Sequence, residues 1–241
     1  MSDAGAAAIS DRIDTIDWPA VTMALDDVGL ASLGPVLERD ECDGLIDLYD
    51  NLDRFRSTVD MASHRFGRGQ YRYFNRPLPT VVARLRAAFW PHLLPIVREW
   101  ADRRDRQALW PDTLDEWLDQ CLAAGQSRPT PLMLRYGPGD WNALHRDLYG
   151  ELVFPLQVVI GLNDPNTEYT GGEFVVVEQL PRAQSRATAT SIPRGHGLVV
   201  TTSDRPIRTQ SRWATAPMRH GLSVVRTGRR HALGLIFHDA Q

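Results

Sequence analysis

The hydrophobic period of this 241-residue chain changes at about residue 131, and that change limits the fold more than any other feature. Before it, apolar residues recur at three-four spacing. Cys42, Leu45, Ile46, Tyr49 and Leu52 predict a helix over 40–52 with Asp40 as its N-cap, and a long helix is predicted from Pro79 to Asp102, bent near Pro91 and Pro95. A third follows Pro111, which suits the first helical position. Asp112, Asp115 and Glu116 complement its positive end, Gly125 stops it, and Leu114, Trp117, Leu118, Cys121 and Leu122 form its stripe. After residue 131 come short apolar runs: PLMLRY, LVFPLQVVIGL, EFVVVEQ, GLVVTT, MRHGLSVV and RRHALGLIF. The turn clusters GPGD, NDPN, TGG, SDRP and RTG separate them. Many short strands at such spacing specify a sandwich or barrel. The expected fold is therefore α+β, a jelly-roll core with N-terminal helices packed on one face. Residues 1–130 form the helical part and 131–241 the β core, in one integrated domain.

Composition removes whole chemistries. All 27 basic residues are arginine, so a phosphate loop ending in GK[ST], a Schiff-base lysine and a Ser-x-x-Lys pair are impossible. Two cysteines, Cys42 and Cys121, exclude a four-cysteine zinc cage and a disulfide-built scaffold. The first residues, MSDAGAAAISD, have no basic export region, and no run approaches a membrane span; the expectation is a cytoplasmic protein without membrane contact. The net charge of −3 is built from blocks: −11 over residues 1–53, +8 over 54–108, −8 over 109–181 and +8 over 182–241. Two distant basic blocks can meet as one face suited to an anionic partner such as DNA or other nucleic acid, or they can neutralise the acidic blocks.

Along a strand, residues i and i+2 share a face about 6.7 Å apart. His145 and Asp147 in ALHRDL can therefore reach one ion, while Arg146 faces away. With 7 His and 22 Asp in the chain, chance supplies about 0.6 His-x-Asp pairs, so order and context must carry the argument. His220, in another predicted strand, is the best-placed third ligand. Two imidazoles and one carboxylate with open positions form the facial triad suited to Fe(II). Arg230 follows in the last strand and offers a bidentate fork to a carboxylate near the metal, and Tyr136 adds a hydroxyl.

LRYGPGDWNALHRD, TGGEF and RHGLSVVRTGRRHALGLIF resemble the double-stranded β-helix of the 2-oxoglutarate- and Fe(II)-dependent dioxygenases, with spacing similar to the prolyl-hydroxylase-type branch. The resemblance implies that His145, Asp147 and His220 hold Fe(II), that Arg230 with Tyr136 binds the distal carboxylate of 2-oxoglutarate, and that O2 is the second co-substrate. FRSTVDMASHRFGRGQYRYF, EQLPRAQSRA and MRHGLSVVRTGRRHALGLIFHDA further resemble a bacterial family of oxygenases described as acting on damaged, alkylated nucleic acid. That likeness implies hydroxylation or oxidative demethylation of a base. AlkB-type demethylases carry a second arginine six residues after the one that pairs with 2-oxoglutarate; here Ile236 stands in that position.

Residues 64–76, HRFGRGQYRYFNR, interleave arginines with aromatics, and Gly67 and Gly69 suggest a mobile lid; an edge strand packed on the barrel explains the same pattern. The candidate substrate contacts are Arg68, Tyr71, Arg72, Tyr73, Trp141 and Arg186. Two alternatives stand beside the nucleic-acid reading. One is the same chemistry on a protein side chain or small metabolite; the other is a non-redox, cupin-like barrel that binds metal or ligand, in which Arg230 has no anionic co-substrate to hold.

Overall fold

The computed structural model describes residues 4–180, 184–210 and 212–241, so residues 181–183 of the EQLPRAQSRA stretch lie outside the described residues. The helices are α1 (Ala4–Asp14), α2 (Trp18–Val28), α3 (Arg39–Leu48), α4 (Thr80–Asp102) and α5 (Leu114–Ala123). Four strands precede residue 131: β1 (Leu30–Pro35), β2 (Phe55–Asp60), β3 (Gly67–Arg68) and β4 (Gln70–Phe74). Then come β5 (Leu132–Tyr136), β6 (Trp141–His145), β7 (Leu156–Gly161), β8 (Tyr169–Gly171), β9 (Phe174–Glu178) and β10 (Arg186–Thr190). The last are β11 (His196–Thr201), β12 (Asp204–Arg208), β13 (Trp213–Leu222), β14 (Val225–Gly228) and β15 (Arg230–Ile236). No described helix is long and apolar enough to cross a membrane.

Two antiparallel sheets organise these strands. The major sheet runs β1-β11-β7-β15-β5-β4-β2, and the minor sheet runs β10-β9-β13-β6-β3, with β12 paired to β13 and β14 paired to β8. Every residue of β7 and β15 is buried. Alternation divides them between two cores. Val158, Ile160, Leu233 and Leu235 pack with Val82, Leu85, Phe89 and Val97 of α4, whereas Val159, Ala232 and Leu198 meet Phe174, Val176 and Met218 of the minor sheet. Helices therefore cover the outer face of the major sheet, and the space between the sheets is left for a site.

Several local expectations change. Strands β1, β2 and β4 join the major sheet, so the first 130 residues are not a separate helical layer. The sequences LASLGP and FRSTVD lack a long apolar run because β1 and β2 are sheet edges and bury only part of their length. Helix α3 begins at Arg39, where the Glu41 carboxylate accepts the Glu38 amide at 2.8 Å, and Asp40 sits in the first turn. Helix α5 starts after Thr113, three residues later than Pro111 suggests. Thr113 Oγ1 accepts the Glu116 amide at 3.3 Å and donates to the Glu116 carboxylate at 2.9 Å; this reciprocal Thr-x-x-Glu cap outweighs the proline. Trp117 and Cys121 of its stripe are buried, but Leu122 is exposed. Helix α4 is continuous through Pro91 and Pro95.

Candidate active site

His145 closes β6 and sits directly opposite His220 of β13 in the ladder, their ring centroids 4.4 Å apart. The register shifts between His220 and Leu222, an irregularity of the kind that re-aims side chains next to sites. Gly221 lies in it, where a Cβ would come 2.7 Å from the Asn142 carbonyl oxygen. Asp147 lies beyond the end of the strand rather than within it, yet its carboxylate returns to the two rings: Oδ2 is 3.0 Å from His220 Nε2 and Oδ1 is 3.6 Å from His145 Nε2. One ligand atom from each residue lies within 4.8 Å of the others, a group that can hold a metal ion.

The donors are prepared for that role. His145 Nδ1 donates to the Ala143 carbonyl at 2.8 Å, which leaves the Nε2 lone pair facing the cluster. Burial, reinforced by His220, lowers the pKa of His145 and so favours its neutral form. Burial would raise the Asp147 carboxyl, but the two imidazoles and the Tyr149 hydroxyl outweigh it and hold the group well below the usual carboxylate range. Tyr149 donates to Oδ1 at 2.6 Å, and Gln157 Nε2 of β7 donates to Oδ2 at 2.7 Å. His220 stacks on Phe174 at 5.6 Å, and its Nδ1 is buried without a protein partner.

The cluster opens into a cavity of about 380 Å³ between the sheets, which also reaches Arg230 and Tyr136. These two residues are paired across the β15–β5 ladder, with the Arg230 guanidinium 5.9 Å from the Tyr136 ring centroid and 6.0 Å from that of Tyr169. Arg230 is 3% exposed, its Nε has no hydrogen-bond partner, and no carboxylate pairs with it among the described residues. A buried guanidinium without a counter-charge is costly, so the cavity calls for an anionic ligand at this end. Ile236, in place of a second arginine, forms part of the apolar lining.

Of the candidate substrate contacts, Tyr71 and Tyr73 line the cavity. Arg72 alternates to the other face of β4, where it is buried over the Tyr49 ring and donates to the Tyr49 carbonyl; it is a structural residue. Arg186 also leaves the set: on β10 it bonds the Asp27 carbonyl at 2.8 Å and pairs with Glu178 at 3.2 Å, outside the cavity. Arg68 and Trp141, paired on β3 and β6, are exposed and are not part of the lining. Gly67 and Gly69 do not make a lid. A Cβ on Gly67 would meet the Trp141 carbonyl, and one on Gly69 would stand 2.7 Å from the Tyr136 ring, so both glycines permit close packing. Arg146 lines the mouth instead of facing away, with Asp204 3.9 Å distant. Sequence reading passes over Gln157 and Tyr149, while Arg65 and Phe66 of the 64–76 segment, outside the candidate contacts, do line the cavity. Gln157 did carry a signal, as the lone amide in the apolar run LVFPLQVVIGL.

The fold is shared with iron oxygenases. A Trichoplax adhaerens prolyl hydroxylase in complex with a hypoxia-inducible-factor peptide superposes with a TM-score of 0.55 at 13% identity, covering 99% of this chain and 94% of that one. A 2OG-Fe(II) oxygenase-family oxidoreductase from Burkholderia pseudomallei gives 0.50 at 18% identity, covering 92% of each chain. Residues 69–240 match the family model Oxygenase-NA, described as an oxygenase catalysing oxidative methylation of damaged DNA. The chain belongs to this family and is an oxygenase. The Mycobacterium tuberculosis (strain H37Rv) uncharacterized protein Rv2227 is 64% identical over 167 residues, 69% of this chain and 72% of its own length. The expected set of Fe(II), 2-oxoglutarate and O2 fits both the His-Asp-His cluster and the shared fold.

Proposed function

We propose that this chain is an Fe(II)- and 2-oxoglutarate-dependent dioxygenase that hydroxylates or oxidatively demethylates a nucleic-acid base. In this reading the facing sheets form a double-stranded β-helix, the helices and strands of the first 130 residues complete the same domain, and the enzyme works in the cytoplasm. The observation that carries it is the uncompensated Arg230 guanidinium, buried in the cavity that holds His145, Asp147 and His220. His145, Asp147 and His220 would hold the metal, and Arg230 with Tyr136 the distal carboxylate of 2-oxoglutarate. Fe(II) with 2-oxoglutarate and O2 supplies the oxidising power to hydroxylate a substrate C–H bond, releasing succinate and CO2. The chain's contribution is placement. Tyr149 and Gln157 fix the Asp147 carboxylate, Phe174 backs the His220 ring, and the cavity's leucines and Ile236 keep water from the reacting groups. The damaged-DNA description of the family and the arginines at the mouth support a nucleic-acid substrate.

The test is anaerobic loading with Fe(II) and 2-oxoglutarate, then O2 with panels of methylated oligonucleotides, peptides and small acids. Succinate release stimulated by a methylated oligonucleotide, with formaldehyde, is the expected result. Stimulation by a peptide or small acid alone assigns the same chemistry to another substrate. Absence of succinate under every condition defeats the dioxygenase reading and leaves a non-redox barrel.

A further inference from the structure

We propose that the turn His64–Arg65–Phe66 is the element that grips the substrate, with the aromatic pair stacking an unpaired base and Arg65 holding the adjoining phosphate. The inference rests on the nucleic-acid reading above and narrows the substrate to a single strand or an extruded nucleotide.

Phe66 is 49% exposed at the cavity mouth, and its ring stacks on His64 at 5.4 Å and 20°. Two flat rings are thus held in water beside the entrance, with no apolar core closing over them. Arg65, between them in sequence, adopts φ +59°, a left-handed conformation uncommon outside glycine. The amides of His64 and Phe66 both donate to the Met61 carbonyl, at 3.2 and 3.0 Å, and so tighten the turn. Backbone strain of this kind persists where surrounding structure enforces it, and it concentrates at binding sites.

The turn is fixed to the metal-bearing strand. Phe66 O accepts the Ala143 amide at 2.8 Å, and the Ala143 carbonyl in turn holds His145 Nδ1 at 2.8 Å. Gly67 pairs with Asn142 so closely that a side chain there would strike the Trp141 carbonyl. The stacked rings therefore keep a set position relative to the cluster, as a clamp on a reacting base must.

Charge selects the occupant. Arg65 and Arg146 stand at the mouth, and the one carboxylate in the cavity lining is the buried Asp147. Arg65 and nearby Arg68 make no ion pair among the described residues, so both guanidinium groups remain free for a polyanion. Cationic groups beside aromatic platforms bind single strands, and a base held inside a duplex could not enter this cavity.

Fluorescence anisotropy on the full chain loaded with Fe(II), kept anaerobic so that no turnover occurs, tests the assignment. The probe is a labelled single-stranded oligonucleotide carrying one methylated base, titrated across a salt series. Phe66→Ala should weaken binding by about tenfold at every salt concentration and leave the salt slope unchanged. Arg65→Gln should weaken binding and reduce the magnitude of the log–log salt slope by about 0.7. Arg65→Gly should reduce the slope in the same way while raising Tm, because glycine removes the strain. Arg106→Gln, an equal charge loss on the exposed stretch after α4, should leave affinity and slope as in the parent chain. Parent-like binding by both Phe66→Ala and Arg65→Gln overturns this inference and leaves the proposed function standing. A parent chain that binds a peptide probe but no oligonucleotide overturns both.

Discussion

The two walls of the cavity are built from the same antiparallel ladder but obey different constraints. The major-sheet wall is buried on both faces: every residue of β7 and β15 is buried, and helix α4 lies behind them. The minor-sheet wall is more open: β9 alternates between buried and half-buried positions, and no residue of β6 or β10 is fully buried. Polar groups on the first wall, Gln157 and Arg230, are few and carry a desolvation cost, so each must answer to a ligand or a neighbour. On the second wall, His145 and His220 sit on a surface that tolerates polarity. The double-sided wall thus supplies shape and a fixed counter-charge, and the more open wall supplies ligands.

The largest expected effect comes from breaking the ligand wall. Asp147→Ala should reduce metal affinity well beyond the about 10- to 100-fold that loss of a supporting hydrogen bond costs, because the only anionic ligand is gone. Gln157→Leu, on the opposite wall, should cost about tenfold through the same carboxylate. Titration with Co(II), followed by its electronic absorption, measures both. Equal losses would show that the walls do not divide the work as described.

Arg230→Met tests the other wall. Truncating one partner of a buried charge pair costs about 2 kcal/mol or more, so the 2-oxoglutarate requirement should rise about 30-fold at least. In the ligand-free chain the same change removes an uncompensated buried charge, and Tm should hold or rise. Thermal shift with and without 2-oxoglutarate reads both. A variant that keeps the full shift given by 2-oxoglutarate removes Arg230 from the co-substrate site.

The same asymmetry decided what could be read from the sequence. Where apolar runs are short and bounded by turn clusters, the strands carrying His220, Tyr136 and Arg230 are legible, and the spacing of His145 and Asp147 is legible beside them. Where both faces are buried, the pattern becomes a continuous apolar run and direction is lost. Gln157 vanished into LVFPLQVVIGL, although it reaches Asp147 at 2.7 Å. In QYRYF, Tyr71, Arg72 and Tyr73 all read as substrate contacts, but strand alternation sends Tyr71 and Tyr73 to the cavity and Arg72 to Tyr49. Edge strands β1 and β2 are short and mixed in polarity, and no local signal distinguishes them from loops.

Acid should loosen the major sheet. His231 of β15 and His238 just beyond it are buried, and burial lowers both to a pKa of about 4 from an ordinary 6.5. The unfolded chain therefore takes up these protons first. Stability is fully present above pH 6.5 and declines as pH falls toward 4, by about 2 kcal/mol per histidine at pH 5. Tm measured from pH 7.5 to 5 should drop, and His231→Phe should flatten the decline. A profile that His231→Phe leaves unchanged would place the acid-sensitive group elsewhere.

The smallest effect should fall at the outer edge of the minor sheet. The Arg186 side chain is about half exposed, and its pairing with Glu178 at 3.2 Å spans a rim where solvent screens charge. Glu178 keeps a second, buried partner in Arg205, so Arg186→Gln leaves no orphaned carboxylate. The variant should lose no more than about 0.5 kcal/mol of stability. Its kcat and KM for 2-oxoglutarate should match those of the parent, since Arg186 stands outside the cavity. A substantial rise in KM for the nucleic-acid substrate alone would extend the binding face across the minor sheet, and the division between the two walls would then have to include a third surface.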